Sequence, residues 1–220
     1  MLPTDADFEK TNLVTTAKVG KLPTPESIRQ GTVWMEYHPD YDAAIQKAKN
    51  AGFEIRKSGF ASVEWIEVYD KDRRDRNLLR IEKVLHVLEN MRYLDLEHEL
   101  GHIDQFSRFG NQVPPTDKMV ELPNGRRKRA NIQDGVLTTA QSTAAEYHNR
   151  LVEFIRLYER GVDMEVLVEH ADGVDDWDER YRKKLRGKRN HKMPAWVKKY
   201  FGEIDDLVKQ YNNIKQSLGI

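Results

Sequence analysis

Cysteine is absent from the 220 residues, and its absence removes disulfides, thiolate zinc ligands and cysteine nucleophiles together. Any zinc this chain binds must be held by His, Asp or Glu. Excess charge of one sign is lacking as well. Lys plus Arg and Asp plus Glu both number 36, so no net field draws the chain onto nucleic acid or an anionic membrane. No apolar run is long enough to span a bilayer. Residues 1–20 interleave Asp5, Asp7, Glu9 and Lys10 with short apolar pieces, unlike a signal peptide. The expectation is a soluble protein with no visible export signal, its partner to be found from a site. What is present, 39% hydrophobic and 33% charged residues, suits a packed interior under a solvated surface.

Along the chain, residues 1–32 carry Pro3, Gly20, Pro23, Pro25 and Gly31 without periodicity and read as an extended lead-in. Residues 33–220 read as one domain. A helix is expected from Asp40, its N-cap, to Gly52, followed by a short strand over Phe53–Arg56. Ser62–Tyr69 and Leu78–Val87 are rich in β-branched and aromatic residues and predict an antiparallel hairpin. From Arg92 to Phe109 the period becomes helical. Leu96, Leu100 and Ile103 share one face, and Asp95, His98, Glu99, His102 and Gln105 gather on another. Residues 111–135 predict a long irregular connection bordering a site. Further helices are expected over Thr138–Arg160, Asp163–His170, Asp175–Leu185 and Pro194–Leu218. The basic run Arg126–Arg129 reads as a solvated loop. The patch Arg180–Lys192 offers a surface for an acidic partner.

Chemistry concentrates in His98-Glu99-Leu100-Gly101-His102. Two imidazoles four residues apart on a helix project from one face and can bind a single Zn²⁺. Glu99, beside the first of them, stands where a general base reaches water without ligating the metal. A catalytic zinc takes a third protein ligand and keeps its fourth position open. On the following helix Glu146 is the first candidate, after the small-residue run Gln141–Ala145 and within the polar stripe Glu146, Asn149, Arg150, Glu153. His148, about half a turn round the helix, is the alternative metal ligand, and Glu153 a lesser one. Asp95, Asn149 and Glu153 are candidates to orient the imidazoles. Tyr147, His148, Arg150 and Tyr158 leave the oxyanion-stabilising role open. Arg108, six residues after His102, argues against the metzincin pattern. His38 and His86 read as structural.

The segments L-D-L-E-H-E-L-G-H-I-D-Q-F (Leu94–Phe106), G-V-L-T-T-A-Q (Gly135–Gln141) and A-E-Y-H-N-R-L-V-E-F-I-R-L (Ala145–Leu157) resemble the zincin-like metallopeptidase toxin domains of bacterial polymorphic toxins. The likeness extends from about Trp34 through the C-terminal helices. It implies a toxic peptidase delivered by secretion as part of a larger polypeptide, acting in competing cells and neutralised in the producer by a cognate immunity protein. It also implies a gluzincin-like ligand set completed by Glu146. Arg150 departs from the thermolysin-like pattern, which has a carboxylate one turn after that glutamate.

The expected fold is therefore α+β and zincin-like: a small, mostly antiparallel sheet on the His98–His102 helix, the Glu146 helix beside it, and a helical C-terminal layer. The expected activity is zinc-dependent hydrolysis of a protein or peptide substrate. Two other readings stand beside it: a non-enzymatic interaction module without a metal, and a structural metal closed by a fourth protein ligand.

Overall fold

In the computed structural model, the structure describes residues 23–70, 77–109, 117–121, 123–125, 127–129, 132–186 and 195–220. Helix α1 (Pro25–Gln30) begins at a capping box in which the Thr24 side chain accepts from Ser27 N–H and the Ser27 hydroxyl accepts from Thr24 N–H. The stretch read as an extended lead-in thus contains a helix, nucleated by its own cap. Residues 1–22 lie outside the described residues.

A 3₁₀ turn over Met35–Tyr37 and helix α2 (Tyr41–Asn50) follow. Asp40 occupies the N-cap of α2, but its carboxylate makes no capping bond. Strands β1 (Glu54–Lys57), β2 (Ser62–Tyr69) and β3 (Leu78–Val87) lead to helix α3 (Tyr93–Phe109). Strands β4 (Asp117–Glu121) and β5 (Arg127–Arg129) come next, then helices α4 (Ile132–Arg160), α5 (Met164–Arg186) and α6 (Ala195–Leu218).

The five strands run in the order β1-β3-β2-β4-β5. The hairpin β2–β3 is antiparallel, with Ser62 opposite His86 and Tyr69 opposite Leu78 across a bulge. Two other pairings, β1 with β3 and β2 with β4, are parallel. The sheet is therefore mixed, which corrects the mostly antiparallel expectation. Each parallel pairing joins strands that are not consecutive in the chain, with β2 between β1 and β3, and β3 and α3 between β2 and β4. β4 and β5 also lie inside the stretch expected to be irregular. D-K-M-V-E gains its strand character from pairing with β2 rather than from local propensity.

Among the described residues, two large apolar clusters form the interior, with a small third one of Ile66, Val68 and Val84 on the sheet. Leu96, Leu100 and Ile103 of α3 pack with Val63, Leu85 and Val87 of the sheet and with Ala44, Ala48 and Phe53. Leu151, Phe154 and Leu157 of α4 pack with Leu167, Ala171 and Val174 of α5 and Ile204, Tyr211 and Ile214 of α6. Ala171 and Val174 bury on either side of Gly173, so α5 continues through the gap left between two expected short helices.

The backbone before α2 also caps α3. Leu94 N–H donates to Gly31 carbonyl oxygen at 2.9 Å and Tyr93 N–H to that of Val33 at 2.9 Å, satisfying donors that the first turn of a helix cannot pair within itself. Gly31 holds φ +69° against Leu94, a conformation that suits glycine. His38 stacks on Tyr93 at 3.5 Å between ring centroids and its Nε2 lies 3.2 Å from Ile28 carbonyl oxygen. His86 is buried against Glu64, with Nε2 to Oε2 at 3.0 Å. Among the described residues, no helix is long and apolar enough to cross a membrane.

Candidate metal centre

Between the two clusters, α3 and α4 meet through a seam of polar side chains. The apolar faces of the two helices are turned outward to the sheet and to α5 and α6, so their facing sides are left to groups that satisfy one another. His98 and His102 project from α3 and Glu146 from α4, and their ligand atoms all lie within 4.8 Å of one another. Glu146 Oε2 is 3.4 Å from His98 Nε2, and Oε1 is 3.3 Å from His102 Nε2. The rings are edge to face, with centroids 4.9 Å apart. Two ligand atoms on one tetrahedral zinc, at bond lengths of about 2.0–2.1 Å, stand roughly 3.3 Å apart. The carboxylate thus already lies at zinc-ligand spacing from each imidazole, and the group can hold a metal ion.

The far side of each imidazole is engaged. Nδ1 of His98 is 3.2 Å from Glu153 Oε2; a carboxylate only accepts, so the proton sits on Nδ1. Asn149 Nδ2, 3.3 Å from the same nitrogen, is then a neighbour rather than a donor to it. Its own donor goes to His98 carbonyl oxygen at 2.8 Å. His102 Nδ1 lies 3.0 Å from Gln105 Oε1. Both Nε2 atoms face the Glu146 carboxylate.

Gly101 makes the close approach of the helices possible: a Cβ built there would lie 1.9 Å from Asn149 Oδ1. Arg160 closes the same seam at the other end with two bonds to Glu97, 2.7 and 3.0 Å.

The electrostatics follow from this packing. Burial depresses the His98 imidazole, yet its bonds to Glu146 and Glu153 outweigh burial and push it up to about 9. Burial would raise Glu146, but His102 and His98 hold its carboxyl far below the ordinary range. Glu153 resists burial in the same way, lowered by His98, Arg150 and His170. Glu99 behaves oppositely. It is almost fully buried, and burial, aided by Glu146, lifts its carboxyl above the usual value although both imidazoles pull it down. A carboxyl raised in this way is suited to taking and returning a proton.

Of the residues singled out in the sequence, His98, Glu99, His102, Glu146, Asn149 and Glu153 come together here. Asp95 is exposed on α3, and the carboxylate on His98 Nδ1 is Glu153. His148 is turned from the cluster; its Nδ1 is 2.9 Å from Gln105 Nε2 and its Nε2 3.8 Å from Glu203 Oε1. Tyr147 points into the helical layer, donating to Asp178 Oδ1 at 2.8 Å. Arg150 Nη1 bonds Glu153 Oε2 at 3.1 Å.

Two neighbours were not assigned from sequence. His170 of α5 places Nδ1 3.7 Å from Glu153 Oε1, and burial lowers its imidazole. Gln105 stands three residues after His102 on the same helical face, which was the available signal. No family model, no curated protein and no solved structure matches the chain.

Proposed function

We propose that this chain is a zinc-dependent peptidase in which His98, His102 and Glu146 hold the metal and Glu99 is the general base. The observation that carries the reading is the convergence of two Nε2 atoms and one carboxylate at zinc-ligand spacing beside a buried carboxyl with a raised pKa. Among the described residues the group offers three donors, the number that leaves a catalytic position open. His148, the candidate fourth donor of a closed site, is engaged by Gln105.

Zinc, when bound, supplies a Lewis acid that acidifies water and polarises a carbonyl. The chain's own part is proton movement and positioning. Glu99 accepts the proton of the attacking water as its oxygen bonds to the peptide carbon. Glu99 then returns that proton to the amide nitrogen as the C–N bond breaks, leaving a carboxylic acid and an amine. Glu153 and Gln105 keep the two imidazoles turned toward Glu146 throughout.

With the resemblance to polymorphic-toxin peptidase domains, the reading extends to a zincin-like effector carried by a larger secreted polypeptide, acting on a protein of the target cell and restrained by an immunity protein. The test is hydrolysis of unfolded polypeptide by zinc-loaded protein and by Glu99→Gln. Hydrolysis by wild type, abolished by a chelator and reduced about 100- to 10,000-fold in a Glu99→Gln that keeps its zinc, is expected on removal of a general base and its proton transfer. A Glu99→Gln protein as active as wild type contradicts the assignment.

A further inference from the structure

We infer that Gln105 is a positioning residue that holds a proton on Nδ1 of His102 and ties the ring to the backbone beside Glu146. Gln105 Nε2 lies 2.9 Å from Ala145 carbonyl oxygen, and a carbonyl oxygen can only accept. The amide must therefore present its nitrogen to α4 and its oxygen to His102, whichever tautomer either histidine adopts. The reversed amide would set two acceptors against each other inside the protein, where an unmade hydrogen bond costs most.

With the amide oriented, the rest follows in order. Gln105 Oε1, 3.0 Å from His102 Nδ1, requires a proton on Nδ1, and Nε2 is turned to the Glu146 carboxylate, 3.3 Å away. The second amide hydrogen points at His148 Nδ1, 2.9 Å away, so that nitrogen accepts. Gln105, His102 and His148 are all buried, and bulk water does not compete for these bonds.

The arrangement has a counterpart across the seam. Asn149 of α4 donates to His98 carbonyl oxygen on α3, and Gln105 of α3 donates to Ala145 carbonyl oxygen on α4. Each helix sends one carboxamide to a carbonyl at or next to a ligand of the other. Three ligands from two helices are thereby held in register before any metal arrives, the condition for a preorganised site.

The affinity arm of the test rests on the metal assignment above; the tautomer arm does not. In metal-free protein labelled with ¹⁵N-histidine, long-range ¹H–¹⁵N spectra are expected to show a proton on Nδ1 of His102 in wild type and in Gln105→Glu, which keeps an acceptor. In Gln105→Met, which has none, the proton is expected to shift toward Nε2. Zinc affinity, read by competition with a chromophoric chelator, is expected to fall about 10–100-fold in Gln105→Met and to stay within about threefold in Gln105→Glu. Stability is expected to drop in both, because both lose the bond to Ala145.

Wild-type His102 without a proton on Nδ1 overturns the inference. So does an unchanged affinity in Gln105→Met, or an equal loss in the two variants, which would mark Gln105 as packing alone. If wild type binds no zinc, the peptidase reading fails while the wild-type spectrum still decides the role of Gln105. If Gln105→Met does not fold, wild type and Gln105→Glu decide it.

Discussion

Replacing Gly101 with alanine sets two effects of opposite sign against each other. Within a helix, Ala is favoured over Gly by about 1 kcal/mol, so intrinsic propensity predicts a more stable protein. The structure predicts the reverse. The new methyl would stand 1.9 Å from Asn149 Oδ1, 2.8 Å from its Cγ and 3.0 Å from its Nδ2, and Asn149 is buried. Either the helices separate, at an overpacking cost of about 1–3 kcal/mol, or Asn149 swings away. In the second case His98 carbonyl oxygen loses its donor, and buried polar groups left unpaired cost about 1–3 kcal/mol. Set against the propensity gain, the net loss is up to about 2 kcal/mol, a fall in Tm of up to roughly 8 °C for a chain of this size. Thermal unfolding of metal-free wild type, Gly101→Ala, Asn149→Ala and the double variant gives the coupling directly. Gly101→Ala should cost less in the Asn149→Ala background, where the clashing atoms are gone. A Gly101→Ala protein at least as stable as wild type would refute the packing described for the seam.

Three further outcomes are expected. His98 is raised to about 9 in the metal-free protein, above its ordinary unfolded value. Its contribution to metal-free stability is therefore complete below about pH 6.5 and lost as pH rises through about 9. Zinc must displace that proton, so affinity from titrations at several pH values should climb toward pH 9 and then level; a flat profile contradicts this. Glu153→Ala, which removes the acceptor on His98 Nδ1, should weaken zinc binding about 10–100-fold, while the exposed Asp95→Ala leaves it unchanged; the opposite ranking would restore Asp95 as the orienting carboxylate. Tyr211→Phe strips the hydroxyl that donates to Asp175 Oδ1 at 2.9 Å and lies 3.1 Å from Ala171 carbonyl oxygen. It should cost about 1 kcal/mol in urea unfolding without altering zinc affinity.

What could be read from sequence was what one element encodes alone. The period of α3 separates Leu96, Leu100 and Ile103 from His98 and His102, and the same four-residue spacing that marks a helix brings the imidazoles to one group that could hold a metal ion. Glu146 was legible because a helical stripe has a direction: once Glu146 faces α3, Asn149 and Glu153 follow at three and seven residues, and His148 cannot. Contacts between elements were not legible. The parallel pairing of β1 with β3 and the insertion of β4 beside β2 depend on partners distant in the chain, and D-K-M-V-E has no strand signature of its own. Asp95 and Glu153 were equivalent candidates because each has one helical geometry that reaches an imidazole. Only the crossing of α3 on α4 chooses between them. Gly101 likewise looks like a defect in a helix until the atom of Asn149 that occupies its missing side chain is known.

Zinc content tests the metal centre most directly. Elemental analysis of purified wild type, Glu146→Ala and His148→Ala should give about one zinc per chain in the first and third and a marked loss in the second, the pattern of a three-ligand site of two imidazoles and one carboxylate. Wild-type protein that neither carries nor takes up zinc, or a loss of zinc in His148→Ala with Glu146→Ala unaffected, would contradict the site and the peptidase chemistry built on it.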